Sequence, residues 1–243
     1  MGFEPLIHLM KELHGKINTS VFGAAQGGQN SQQAAFLRQL QREIKAEETM
    51  SIPLDELKVV VFDIETTGFF PDQGNDILSI GAIKVKGCEV YEDEVFYSLI
   101  NHEESLADDI KNLTGLSEDE LKVAPPASQV LLKFFEFAKD HTLVAHHATH
   151  EKSFMQHASW KLFKTPFKHR IVDTSFLYRI VEPSMKFVRL EDWCEHNQIT
   201  VKDRHHALGD AKLTADLWSI YLSQVKNLGC RNLRDIYERL SHL

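Results

Sequence analysis

The chain has 243 residues, 43% of them hydrophobic and 26% charged, with a formal charge of −8 at pH 7. This is an ordinary globular composition, long enough for one large domain or one domain with an appendage. The acidic balance argues against a protein that grips duplex DNA through a broad basic surface, and no apolar stretch approaches the roughly 18 residues of a membrane span.

The N-terminus places Glu4 and Pro5 ahead of a helical pattern, unlike the basic-then-apolar layout of a signal peptide. The expectation is a cytoplasmic protein. Leu6, Ile7, Met10 and Leu13 share helical spacing, as do Phe36, Leu37, Leu40 and Ile44. Between them, Thr19 to Ser31 is rich in Gly, Gln, Asn and Ser and reads as a flexible link. Residues 1–53 are therefore expected to form a helical extension. It either docks on the main domain or binds a partner, and docking is favoured because most apolar helix faces are buried within their own chain.

The main domain is expected over 54–228. Lys58 to Asp63 is a Val-rich run suited to a central strand buried on both faces. Two β-rich segments follow, Asp76 to Lys86 and Glu89 to Ile100, with a hairpin turn at Lys86-Gly87. Pro125-Pro126 and Ser128 mark the start of a helix through Val130 to Ala138. Thr142 to Ala145 reads as a strand, Glu151 to Phe163 as a helix, and Arg170 to Val172 as a third core strand. Helices are expected at Thr174 to Ile180, at Leu190 to Asn197 and over about Ala207 to Val225. The spacing of Leu233, Ile236, Tyr237 and Leu240 predicts one more, within a terminal segment 229–243. A β-meander leading into alternating helices and strands implies an α/β fold, a mixed sheet with helices on both faces. Cys88, Cys194 and Cys230 are too dispersed for a disulfide framework or a CxxC site and read as reduced structural thiols.

Three short segments carry chemistry. Asp63 and Glu65 lie two apart at a strand end, so period-two geometry points both carboxylates to one face, where they can hold a metal. Thr66-Thr67-Gly68 then turns the chain, with backbone amides expected to be free for a substrate terminus. Asp210 sits near the start of the long helix, where the dipole favours a carboxylate. His205 precedes it by a turn and suits proton removal from water, with His206 a bystander. In the middle segment His146, His147, His150 and Glu151 raise a zinc reading, which is disfavoured because the residues span a turn and lack the HExxH arrangement. The alternative is that Glu151, opening a helix, supplies a further acidic corner of a magnesium site. Four carboxylates and a histidine are the equipment for metal-assisted phosphodiester hydrolysis.

Val61-Phe62-Asp63-Ile64-Glu65-Thr66-Thr67-Gly68, the segment ending in Glu151, and His205-x-Ala207-x-x-Asp210 together resemble the DEDD superfamily of 3′–5′ exonucleases. The branch matched is the histidine variant (DEDDh), which contains the proofreading epsilon subunits of bacterial DNA polymerase III, ribonuclease T and oligoribonuclease. Asn112-Leu113-Thr114-Gly115-Leu116 and Val172-Asp173-Thr174 agree as well. The resemblance covers about residues 57–228 and implies a ribonuclease H-like fold with the acids at the centre of the sheet.

It also implies that Asp63 bridges two Mg²⁺ or Mn²⁺ ions, with Glu65 and Asp210 completing the first and Glu151 serving the second. His205 would take a proton from bound water, so that the terminal phosphodiester is cut and a nucleoside 5′-monophosphate leaves. Thr66, Thr67 and His147 are expected to contact substrate, and Phe69, Phe70 and Leu78 to stack on the terminal base. The partner implied is a nucleic acid with a free 3′ end, single-stranded DNA favoured over RNA. A polymerase or other protein contact is assigned to residues 1–53. The chain departs from the family at Glu151, where an aspartate is usual, and at His147 and His150, which stand for an amide and an aromatic. A non-catalytic nucleic-acid-binding module is the opposing reading of that departure.

Overall fold

The computed structural model describes residues 31–38 and 49–243. Its core is a five-stranded sheet of β1 (Lys58–Thr66), β2 (Ile77–Lys86), β3 (Glu89–Leu99), β4 (Thr142–Ala145) and β5 (Ile171–Asp173), in the order β3-β2-β1-β4-β5. The first three strands form an antiparallel meander, and β4 and β5 add to β1 in parallel. Gly87 has φ +57 at the first position of the two-residue β2–β3 loop, a conformation that favours glycine there.

Eight helices follow the meander: α1 (Asp108–Thr114), α2 (Glu118–Val123), α3 (Ala127–Ala138), α4 (Thr149–Phe163), α5 (Ser175–Val181), α6 (Leu190–His196), α7 (Ala207–Asn227) and α8 (Leu233–Leu240). The short helices α1 and α2 were not expected from the sequence. α1 buries none of its residues and α2 only Leu121, so neither carries an apolar period to read.

Alternation along β1 sorts its side chains into two cores. Val60, Phe62 and Ile64 pack with Leu131, Phe134 and Phe135 of α3 and Phe154 and Met155 of α4. Val59 and Val61 pack with Leu217, Trp218 and Tyr221 of α7 and with residues of α5, α6 and α8. The sheet is thus flanked by helices on both faces, as read from the sequence. Residues 31–38 are helical, and Ala34 and Leu37 are buried in the first of these cores with Phe36 packed against it. Leu6, Ile7, Met10, Leu13, Leu40, Ile44 and the link Thr19 to Asn30 lie outside the described residues. Among the described residues no helix is long and apolar enough to cross a membrane.

Candidate active site

Asp63 and Glu65 continue the stripe begun by Val59 and Val61, so the face of β1 that forms core at one end presents carboxylates at the other. The strand runs on to Thr66, and a register shift between Glu65 and Thr66 bends the chain away directly after the second acid.

The helix that completes the site reaches the sheet because of a glycine. Gly81 pairs with Asp63 across β1 and β2. A Cβ at Gly81 would stand 2.1 Å from the Leu208 nitrogen, so only glycine lets the N-terminus of α7 settle onto the strand. Gly209 has the same role toward the preceding loop, since its Cβ would meet the Asp203 carbonyl at 2.2 Å. This close approach sets Asp210, in the first turn of α7, over the β1 acids. Ligand oxygens of Asp63, Glu65 and Asp210 all lie within 4.8 Å of one another.

Glu151 stands outside this tight group, in the first turn of α4, but is 4% exposed and acts on Asp63 through its charge. Burial pushes the Glu151 carboxyl up to about 8, with Asp173 adding to the shift. Burial likewise pushes Glu65 up to about 8, and Asp210 contributes. Asp63, which keeps partial access to solvent, is raised by the protein around it and then by Glu151, Asp210 and Glu65. Four acids so crowded resist full ionisation without added positive charge. The Glu151 Oε2 and Asp210 Oδ1 atoms are buried with no partner among the described residues. Orphaned carboxylate oxygens beside a three-acid cluster are the donor set that a hard divalent cation takes.

His205 lies in a tight loop with φ +61, and its backbone N–H donates to Asp210 Oδ2 at 3.2 Å. Burial and the neighbouring Arg204 lower its imidazole pKa, so the ring is neutral and able to accept a proton. His206 is the N-cap of α7, accepting from the Gly209 N–H, and its ring stacks on Tyr97 at 4.4 Å.

The expected substrate contacts divide. Phe69 is 77% exposed and meets His150 edge-on at 5.9 Å, and His150 Nε2 lies 3.5 Å from Thr66 Oγ1. Thr66, Phe69 and His150 thus share one rim of the site. Leu78 is a correction: it is fully buried with Leu106 and Leu121, so it has no surface to offer a base. A second correction concerns the turn after Glu65. The Thr67 N–H donates to the Asp76 carbonyl at 3.0 Å and its hydroxyl accepts from the Asp76 N–H, so this amide is not free. On the other rim, His146 Nε2 and exposed His147 Nε2 both donate to the Val188 carbonyl, at 3.1 and 2.7 Å.

Sequence reasoning missed Arg204, whose guanidinium pairs with both Asp210 and Glu191. Its position directly before His205 was the available signal. Asp173 was read only through the resemblance. Its two oxygens accept from the Ala148 and Ser175 N–H groups, pinning the starts of α4 and α5.

The family model for ribonuclease T-type exonucleases matches residues 60–218, well over half of the chain and every acid of the site. The chain belongs to the DEDD exonuclease superfamily. Its curated relatives in that superfamily include the PolC-type DNA polymerase III of Caldanaerobacter subterraneus subsp. tengcongensis, 34% identical over 181 residues. An epsilon-like DNA polymerase III subunit protein of Rhodobacter capsulatus is 32% identical over 179 residues. These matches cover 74% and 73% of this chain but only 13% and 25% of the relatives. Among solved structures, E. coli Exonuclease I in complex with a dT13 oligonucleotide aligns with a TM-score of 0.62 at 12% identity, covering 72% of this chain and 43% of that one. The nuclease domain of 3′hExo, a DEDDh family member bound to rAMP, aligns at 0.61 and 19% identity, covering 72% and 94%. Those two show that this chain shares their exonuclease fold. The superfamily assignment makes the chain a nuclease of the hydrolase class; the family uses divalent metals, and an acidic cluster is present here.

Proposed function

We propose that the protein is a metal-dependent 3′–5′ exonuclease that removes nucleoside 5′-monophosphates from single-stranded DNA. The observation that carries this reading is the convergence of Asp63, Glu65 and Asp210 within 4.8 Å, with orphaned oxygens on Asp210 and Glu151. Asp63, Glu65 and Asp210 would hold one Mg²⁺ or Mn²⁺, and Asp63 with Glu151 a second. The longer glutamate would take the role of the usual aspartate there. Bound there, the cations supply a water of lowered pKa and stabilise charge on the departing 3′-oxygen.

The chain's own groups do the rest. His205, held by its backbone N–H to Asp210 and kept neutral by burial, takes the proton of the attacking water. Thr66 and Phe69 receive the terminal nucleotide, with the exposed ring stacking on its base. The acids repel a phosphate chain until counter-charge is present, which makes binding and cleavage depend on metal together.

Residues 31–38 of the extension dock on the domain itself, and a polymerase contact in the cytoplasm, supported by the PolC-type and epsilon-like relatives, is assigned to the rest of residues 1–53. RNA is the second substrate reading, supported by the rAMP bound to 3′hExo. Digestion of matched DNA and RNA oligonucleotides, with chromatographic identification of the products, tests the proposal. The reading expects nucleoside 5′-monophosphates released faster from DNA. Faster release from RNA moves the substrate to RNA, and binding of either strand without release makes the protein a non-catalytic module.

A further inference from the structure

We infer that Arg204 is a built-in counter-ion, which holds Asp210 in the metal-free protein and competes with a divalent cation for that carboxylate. The inference rests on the metal-dependent reading above and concerns how the site is loaded.

Arg204 lies in the loop between α6 and α7, directly before His205. A long cation in such a loop ordinarily extends into water. Here the side chain turns inward and is only 23% exposed. Its Nη1 donates to Asp210 Oδ2, and its Nη2 donates to Glu191 Oε2 at 3.0 Å. A guanidinium cannot shed its proton, so it carries a full charge into the acidic cluster. Asp210 Oδ2 also accepts the His205 N–H, whereas Oδ1 has no partner among the described residues. One carboxylate therefore faces the arginine with one oxygen and offers the site the other.

A cation at Asp210 and the guanidinium beside it are like charges on one anion. Their repulsion grows inversely with distance in a poorly screened site. Glu191 provides a second berth. It already binds Arg204 with one oxygen and Arg189 with the other, so Arg204 keeps an anionic partner when the metal claims Asp210. This predicts opposite signs for the two partners. Loss of the arginine frees Asp210 for metal but leaves the metal-free acids uncompensated. Loss of the Glu191 charge leaves Arg204 with Asp210 alone, which strengthens the competitor.

The test is Mn²⁺ binding to the full chain, read from the electron paramagnetic resonance of free Mn²⁺, for the wild type, Arg204→Gln, Arg204→Lys and Glu191→Gln. Thermal unfolding in EDTA and in excess Mn²⁺ runs beside it. Arg204→Gln should bind Mn²⁺ roughly tenfold tighter, the scale of one charged hydrogen bond removed from the competitor. Its midpoint in EDTA should fall, which widens the gap between the EDTA and Mn²⁺ curves. Arg204→Lys keeps the charge but not the fork and should bind between wild type and Arg204→Gln; a value equal to wild type would mean that the general field acts and the bond does not. Glu191→Gln should bind more weakly. Unchanged or weaker binding by folded Arg204→Gln, or unchanged or tighter binding by Glu191→Gln, overturns the inference. If Arg204→Gln does not fold in EDTA, the other two variants decide. A wild type that takes up no more Mn²⁺ than Asp63→Ala would sink the metal reading itself, a result distinct from a wild type that binds with variants that do not differ.

Discussion

On β1, Val60, Phe62 and Ile64 face α3 and α4, whereas Val59, Val61, Asp63 and Glu65 face the side of α7. The first face is apolar from Val60 to Ile64 and closes on an aromatic group in which Phe134 touches Phe62, Phe96 and Phe135. The second changes character halfway, from valines under Trp218 and Tyr221 to acids under the first turn of α7. One face gains stability from every residue it buries. The other buries carboxylates whose shared negative charge opposes folding until a cation answers it. The strand thus confines its chemical work to one end of one face, and that end should respond to substitution separately from the apolar face.

The largest separation is expected at the acidic end. His205→Ala should slow turnover by about 10²–10⁴-fold while DNA affinity stays near that of the wild type, measured by single-turnover kinetics beside fluorescence anisotropy. On the apolar face, Phe134→Ala should lower stability by about 3–5 kcal/mol in urea titration, with kcat unchanged below the unfolding transition. A matching loss of kcat there would break the comparison. Gly81→Ala lies where the two regions meet. Its Cβ must push α7 off β2, so it should lower stability by about 3 kcal/mol and depress turnover as well, because Asp210 moves with the helix.

A smaller effect tests the apolar side by pH. His169 is buried between Phe135 and Phe167 with neither ring nitrogen partnered among the described residues, and burial holds its pKa down at about 4. The unfolded chain protonates near 6.5, so this neutral ring favours the fold fully above pH 6.5 and less as pH falls toward 4. Replacing it with phenylalanine should stabilise the fold by about 2 kcal/mol more at pH 5 than at pH 8, read from unfolding midpoints across that range. The least change is expected from Glu151→Asp, which should keep or raise turnover in Mg²⁺. Complete loss would mean that the pocket is built around the longer side chain.

Much of this was legible in the sequence because the acids sit on regular elements. Asp63 and Glu65 follow four apolar residues of a buried strand, and Asp210 opens the longest apolar-periodic helix, so pattern and chemistry coincided. What escaped depends on contacts between distant segments. Gly81 reads as an ordinary strand residue until α7 is laid across it. Arg204 reads as a solvated loop cation until it meets Asp210 and Glu191. Leu78 was misassigned because Ile77 and Leu78 open a strand buried on both faces, where no alternation tells which side a residue takes. The fold was carried by periodicity, and the fine structure of the site by close approaches that no local pattern records.

The central claim is that Asp63 anchors a metal-dependent hydrolytic site. Its most direct test follows a 5′-labelled single-stranded DNA oligonucleotide with wild type and Asp63→Ala, in Mg²⁺, in Mn²⁺ and in EDTA. The account predicts a ladder shortening from the 3′ end with the wild type and either metal, and intact substrate in EDTA and with Asp63→Ala. Shortening that persists in EDTA, or that Asp63→Ala leaves undiminished, would contradict it.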